Sequence, residues 1–185
     1  LEVGFRQALS PVVDITRDPR WGRVTETYGE DAALTSAMAS AFVRGLQTED
    51  LRKGIAATAK HFVGHGVTEG GINMGRNMVS PRDVKEIHCK PFQCAVTEAG
   101  MRSVMCSYCS MNGEPVVASK TLLTELLRDE MGFEGIVVSD YVAVDRLVDP
   151  FCVADSFEEA GKLAIQAGLD VEYPRPKGFT YRMKE

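Results

Sequence analysis

The chain has no apolar run that approaches the roughly 18 residues needed to cross a membrane, so we expect no membrane-spanning helix. It also lacks a basic run, and its formal net charge of −5 argues against nucleic acid as a partner. The first residues, LEVGFRQALSPVV, lack the basic segment and apolar core of a secretion signal. Because the natural chain could begin upstream of Leu1, localisation stays open.

Cysteine and histidine are too few and too irregularly spaced to suggest a metal site. The five cysteines form an odd set, which is typical of reduced thiols. Cys106 and Cys109 form a C-x-x-C pair, but no second pair follows at zinc-binding spacing. His61 and His65 are four residues apart, and the glycines beside His65 argue against a helix that presents both as ligands. We therefore expect no metal.

Short apolar segments alternate with longer amphipathic ones along the chain. The predicted strands are 8–15, 54–63, 103–108, 135–141 and 169–173. The predicted helices are 30–46, 80–98, 119–131 and 156–168. Ser80, Ser119 and Ser156 supply N-caps, and Gly132 and Gly168 supply stop signals. This alternation, with continuously apolar strands, predicts an α/β fold with a parallel sheet covered on both faces.

The polar residues decide between a doubly wound sheet and a β/α barrel. No G-x-G-x-x-G follows a strand, which removes the main indication of a dinucleotide-binding fold. Polar side chains instead end successive strands, at Asp14, Lys60-His61, Ser107-Tyr108 and Ser139-Asp140. In a barrel those ends meet at one mouth, although strand ends also become polar simply by meeting water. Because a complete barrel needs about 250 residues and this chain has 185, we predict a partial (β/α)8 barrel.

Four segments together resemble glycoside hydrolase family 3. They are SPVVDITRDPRWGRVTETYGED (10–31), AKHFVGHGVTEGGIN (59–73), VMCSYCSMNGEP (104–115) and GFEGIVVSDY (132–141). The resemblance implies that residues 1–173 are the central and later part of the family's N-terminal barrel domain. Residues 174–185 are then a loop or truncated tail, and a second α/β domain is expected downstream.

The resemblance also assigns roles to individual residues. It makes Asp140 the catalytic nucleophile, since a retaining glycosidase needs an ionised carboxylate that attacks the anomeric carbon. It makes Arg23 a donor to sugar hydroxyls and makes Lys60 and His61 a pair that hydrogen-bonds them, with a cis peptide bond between Lys60 and His61.

The remaining assignments concern the pocket wall. Tyr108 lies beside the nucleophile in the family, and Met105 lines the same pocket. Tyr141 replaces the Trp that many members carry, and it keeps an aromatic face for sugar stacking.

The resemblance places the general acid outside this chain. The N-acetylglucosaminidase branch carries its acid as Asp-x-His on the loop that here has Gly71 and Asn73, and neither can transfer a proton. We therefore expect the branch of β-glucosidases and β-xylosidases, whose acid is a Glu in the second domain. We favour a retaining β-glucosidase that needs no cofactor, with β-xylosidase as the alternative. An inactive fragment or non-catalytic module is the expectation if the native gene ends here.

Overall fold

The computed structural model describes residues 3–180 and contains two β-sheets. In chain order the strands are β1 (Gln7–Ala8), β2 (Ala56–Phe62), β3 (Arg76–Asn77), β4 (Ser103–Cys106), β5 (Ser110–Met111), β6 (Glu114–Pro115) and β7 (Ile136–Val138). Strands β1, β2, β4 and β7 pair in that order, and all three pairings are parallel. This confirms the predicted α/β fold with a parallel sheet.

Every predicted helix is present, with small shifts at the ends. The α-helices are α1 (Ala32–Gln47), α2 (Pro81–Asp83), α3 (Lys90–Ala99) and α4 (Phe157–Ala167). A π-helical turn at Val84–His88 joins α2 to α3, and a π-helix spans Thr121–Glu130. Short 3-10 turns occupy Val24–Glu26, His65–Val67, Glu69–Gly71, Val116–Ala118 and Asp145–Leu147.

The N-caps show why the helices begin where they do. The Ser80 hydroxyl accepts from the Asp83 amide at 3.1 Å, and the Ser156 hydroxyl accepts from the Glu159 amide at 3.1 Å. Helix α1 begins after Asp31 rather than at Glu30, because the Asp31 carboxylate accepts from the Leu34 amide at 2.6 Å. The i to i+5 pattern of Thr121–Glu130 has no signal in the sequence that we can identify.

Three predicted strands are much shorter than expected, and of 135–141 only Ile136–Val138 forms a strand. Of 8–15, only Ala8 lies in β1, and Val12 makes an isolated parallel bridge to Lys60. Pro11, which has no amide hydrogen, interrupts the ladder between them, and the Ser10–Pro11 bond is cis. Of 169–173, only Val171 pairs, in a bridge to Val138. The segments 8–15 and 169–173 extend the sheet on its two sides without forming regular strands.

The second sheet was not predicted. Strands β5 and β6 form an antiparallel hairpin, and β3 pairs with β5 in parallel. The hairpin turns at Asn112-Gly113, where φ is 52° and 92°. Asn-Gly is the strongest short-range hairpin signal, so this element was visible in the sequence.

The sheet is buried on both faces. Side chains of alternate residues, including Val104, Cys106 and Val137, belong to the main hydrophobic core. The intervening Met105 and Val138 are also buried but lie outside that core, so alternation places them on the opposite face. In the core, the rings of Phe62 and Phe92 pack edge to face with centroids 5.1 Å apart.

Residues 174–180 have no regular structure, but they are anchored to the rest of the chain. The buried Glu172 carboxylate accepts from the amides of Lys177 (2.9 Å), Gly178 (3.3 Å) and Phe179 (2.7 Å). Gly178 lies so close to Gly161 of α4 that a Cβ added to Gly161 would be 2.6 Å from the Gly178 carbonyl oxygen. The predicted tail beyond Thr180 lies outside the described residues. Within the described part of the chain, no helix is long and apolar enough to span a membrane.

The Phe62–Phe92 contact gives a test of the core. Phe92 is 1% exposed, so Phe92→Ala should lower the free energy of unfolding by about 3–5 kcal/mol through lost burial and a residual cavity. Phe5→Ala removes the same atoms from a side chain that is 67% exposed and should change stability little. Chemical denaturation measures both, and equal effects would contradict the assigned core.

Candidate active site

Three ionisable side chains meet where the parallel strands end. Asp14 follows the bridge at Val12, His61 lies near the end of β2, and Asp140 follows β7. The His61 Nδ1 atom is 2.7 Å from Asp14 Oδ2, and its Nε2 atom is 3.4 Å from Asp140 Oδ2. The side chains of Asp14 and His61 are each 1% exposed, and that of Asp140 is 10% exposed. The imidazole thus lies between two carboxylates in a nearly dry site.

Hydrogen bonding fixes the His61 ring on one side. Asp14 Oδ2 also accepts from the His61 backbone amide at 3.2 Å. Burial opposes ionisation of Asp14, but the electrostatic interaction and hydrogen bonds with His61 outweigh burial and lower the pKa of Asp14. An ionised carboxylate can only accept, so His61 Nδ1 carries a hydrogen. The Lys60–His61 peptide bond is cis, as predicted, and so is the Phe62–Val63 bond.

The two carboxylate oxygens of Asp140 differ in their hydrogen bonding. Its Oδ1 atom accepts from the Tyr141 amide at 2.7 Å, whereas its buried Oδ2 atom makes no hydrogen bond among residues 3–180. Burial raises the pKa of Tyr108 above its usual range, and the adjacent charge of Asp140 raises it further. Tyr108 therefore stays a neutral phenol beside the carboxylate.

Arg23 joins the same site from the Val24–Glu26 turn. Its guanidinium donates to both Glu26 oxygens, at 2.8 and 2.9 Å, and its third nitrogen lies 3.2 Å from His65 Nε2. These bonds raise the pKa of Arg23 despite its partial burial, with smaller contributions from Asp140 and Asp14. Lys60 is half-buried, and its charge helps to lower the pKa of Glu26. Among the described residues the Lys60 ammonium makes no hydrogen bond, so it remains available as a donor.

His65 forms a neutral wall behind His61. Burial lowers the pKa of His65 to about 3, so the ring is uncharged at neutral pH. Arginine can only donate, so His65 Nε2 accepts from Arg23 and its Nδ1 carries the hydrogen toward Cys109 Sγ at 3.2 Å. The His61 and His65 rings are 4.5 Å apart, and Trp21 packs edge-on against His65 at 5.2 Å.

The remaining predicted site residues are Met105 and Tyr141. Met105 is buried on the same face as Val138 and pairs in register with Lys60, so it lies in the barrel interior. Tyr141 contacts Asp140 through its backbone amide, but its side chain is 47% exposed. The Tyr141 side chain lines a separate cavity of about 340 Å³ together with Gln7, Leu9, Tyr173 and Pro174. The structure thus brings Asp140, His61, Tyr108 and Arg23 together, with Lys60 beside them and Tyr141 at the rim.

Three contributors to the site were not predicted as site residues. Asp14 was noticed only as a polar strand end, and His65 and Trp21 were seen only as parts of motifs. Trp21 donates through its indole nitrogen to Asn73 at 3.2 Å, which ties the segments 10–31 and 59–73 together. The available signal for Asp14 was its position at the end of an apolar segment, as for Lys60-His61 and Asp140. Within residues 3–180, no three His, Cys, Asp or Glu side chains are grouped so as to hold a metal ion.

Comparison with known proteins decides the family. Residues 1–183 match the glycosyl hydrolase family 3 N-terminal domain. The chain belongs to glycosyl hydrolase family 3. It is 42% identical over 175 residues to a β-xylosidase of Formosa agariphila and 36% identical over 170 residues to a periplasmic β-glucosidase of Salmonella typhimurium. Those alignments include 92% and 91% of this chain but only 24% and 22% of the two relatives, respectively.

A solved structure supports the same assignment. The β-glucosidase of Erythrobacter marinus superposes with a TM-score of 0.87 at 40% identity, over 90% of this chain and 23% of that one. This family 3 chain therefore spans about a quarter of the length of the proteins that it matches. Its relatives carry the names of enzymes that cleave O-glycosyl bonds, both β-glucosidases and β-xylosidases.

The neutral His65 predicts how stability depends on pH. Unfolded His65 binds a proton below its ordinary pKa of 6.5, whereas the folded ring does so only near 3. Stability is therefore fully present above pH 6.5 and falls with decreasing pH, by up to about 1.4 kcal/mol per pH unit from this residue. His65→Asn should lose less stability than the wild type between pH 6.5 and 4.5 in urea titrations. Phe92→Ala, which removes no titratable group, should keep the wild-type slope, and an unchanged slope in His65→Asn would refute the assignment.

Proposed function

We propose that the polypeptide carrying this chain is a retaining β-glycosidase that hydrolyses terminal β-D-glucosides, with Asp140 as its nucleophile. The observation that carries the proposal is the Asp140 carboxylate, which is buried beside His61 and Tyr108 and whose Oδ2 atom makes no hydrogen bond among the described residues. A nucleophile needs a lone pair that is not already used in a hydrogen bond. The Arg23 guanidinium interacts electrostatically with Asp140, and the Tyr141 amide donates to Oδ1, which leaves Oδ2 for the attack.

The proposed reaction has two steps. In the first, Asp140 Oδ2 attacks the anomeric carbon while the leaving oxygen takes a proton from a general acid. In the second, the deprotonated acid takes a proton from a water molecule, which attacks the same carbon and releases Asp140, so the sugar keeps its configuration. Lys60 and Arg23 would donate to the sugar hydroxyls, His61 Nε2 would accept from one of them, and together they would hold the ring against the nucleophile. Met105 would pack beneath it, and Tyr141 would stack against a sugar at the rim.

The general acid in this proposal comes from another part of the polypeptide. Two other carboxyls contact residues of the same site, Asp14 through His61 and Glu26 through Arg23, and the pKa values of both are lowered. Asp14 is ionised against His61, and Glu26 is ion-paired with Arg23, so neither holds a proton at neutral pH. This supports our proposal that residues 1–173 are the central and later part of a barrel and that a second domain carries the acid. On this view the 185-residue chain alone would be inactive.

A β-xylosidase is the second candidate. The observation in its favour is the 42% identity with the Formosa β-xylosidase, compared with 36% for the Salmonella β-glucosidase. The two activities differ in whether the site accepts the C6 hydroxymethyl group. The ratio of kcat/KM for matched aryl β-glucoside and β-xyloside substrates separates them.

Replacing Asp140 tests the nucleophile. In the longest polypeptide that the gene encodes, Asp140→Ala should abolish turnover, because no covalent glycosyl-enzyme can form. Azide should restore turnover by attacking from the vacated face, and the glycosyl azide should have inverted configuration. Product configuration is read by NMR.

Asp170→Ala is the matched control. Asp170 binds Arg128 and the Val137 amide at the opposite end of the last strands, so its loss should leave the catalytic step unchanged. Substantial turnover by Asp140→Ala without azide would rule out Asp140 as the nucleophile.

A further inference from the structure

Asp14 makes two hydrogen bonds to His61, one to its ring and one to its main chain. A single oxygen, Asp14 Oδ2, accepts both from the His61 ring at 2.7 Å and from the His61 backbone amide at 3.2 Å. The other oxygen, Oδ1, is buried and makes no hydrogen bond among the described residues. Among the described residues, every hydrogen bond of the Asp14 carboxylate is therefore made to His61, at its ring and at its backbone amide.

A buried carboxylate with a purely structural role looks different in this same chain. Glu172 is 5% exposed, and its two oxygens accept from three backbone amides of one loop. Both of its oxygens are used, and no side chain of the site is among its partners. Asp14 instead leaves one oxygen without a partner and directs the other at a residue that faces Asp140. Glu172 therefore anchors a loop, whereas Asp14 acts on a residue of the site.

The consequence for His61 follows from hydrogen-bond chemistry. In an imidazole, the bond made by one nitrogen decides which nitrogen carries the proton and where the ring points. With Nδ1 donating to Asp14, the ring is fixed so that Nε2 is 3.4 Å from Asp140 Oδ2. Without that acceptor, the hydrogen could move to Nε2, or the ring could turn away from the carboxylate.

We propose that Asp14 is a positioning residue, whose carboxylate holds His61 in the tautomer and orientation that present Nε2 to Asp140 and to the sugar bound beside it. The proposal rests on the proposed function for the identity of the sugar but not for the state of His61. Asp14 touches neither Asp140 nor, on this account, the substrate. It acts through His61 alone.

The first experiment reads His61 directly, by NMR of the intact polypeptide labelled with ¹⁵N-histidine. In the unliganded wild type, His61 Nδ1 should carry a hydrogen. Asp14→Leu keeps the volume but removes the acceptor, so the Nδ1–H signal should be lost or exchange with an Nε2–H form. Asp14→Asn, which keeps an oxygen acceptor without the charge, should retain the signal with a changed shift. An unprotonated Nδ1 in the wild type, or identical His61 signals in Asp14→Leu, would overturn the proposal.

The second experiment is a double-mutant cycle on activity toward an aryl β-glucoside. Misplacing a binding group by about 1 Å can cost roughly 10²-fold, and we expect Asp14→Leu to lower kcat/KM by that order, with Asp14→Asn intermediate. In a His61→Ala background, Asp14→Asn should have no further effect, because its target is gone. Equal losses in both backgrounds would show that Asp14 does not act through His61.

Glu172→Gln is the matched control for removing a buried carboxylate. It should lower the thermal midpoint, because it weakens the bonds to residues 177–179, but His61 signals and kcat/KM should stay as in the wild type. If Asp14→Leu does not fold, the Asp14→Asn cycle still decides. If the wild type hydrolyses no glycoside, the proposed function fails, while the NMR experiment still tests the role of Asp14.

Discussion

Burying two carboxylates on either side of one imidazole is the constraint on which the rest of this structure depends. A charge removed from water is costly unless it is paired and hydrogen-bonded. Asp14 is satisfied by the ring and amide of His61, while Asp140 has one oxygen bound to an amide and one left free. Arg23, which is ion-paired with Glu26, adds a positive charge to the same site. Asp140 Oδ2, which makes no hydrogen bond among the described residues, is thus the oxygen with a chemical role in our proposal.

The fold brings these groups together because its strands are parallel and adjacent. Strand β2 lies between β1 and β4, and its final residues carry Lys60 and His61. The chain before β2 contributes Asp14, and the chain after β7 contributes Asp140, so residues distant in sequence meet at one edge of the sheet. The irregular register between Lys60 and Phe62, with its cis peptide bonds, occurs at this same edge. Behind it, the uncharged His65 separates the site from the thiol of Cys109, whose pKa is raised to about 12 by burial.

Local signals predicted much of this fold. The capping serines and the glycine stops placed the helices within a few residues, because a helix end is decided by nearby hydrogen bonds. The extents of 8–15 and 169–173 were wrong because pairing depends on partners far along the chain and on the interruption at Pro11. The Asn112-Gly113 hairpin was missed although its signal was local.

The site was predicted less completely than the fold. Four motifs nominated Arg23, Lys60, His61, Tyr108 and Asp140, and the structure brings them to one edge of the sheet. Sequence could not show that Asp14 binds His61, or that His65 is neutral with its hydrogen on Nδ1. Both depend on contacts across more than 40 residues and on burial. Tyr141 was placed beside the nucleophile by adjacency, but its side chain turns toward the exposed rim.

Trapping the covalent intermediate tests the central claim most directly. A 2-deoxy-2-fluoro-β-D-glucoside with an activated leaving group should form a glycosyl-enzyme that hydrolyses slowly, because fluorine destabilises both positively charged transition states. Proteolysis and mass spectrometry of the intact enzyme should then locate one added sugar on the peptide that contains Asp140. Label on another carboxylate, or turnover of the natural glycoside with no label anywhere, would contradict the account.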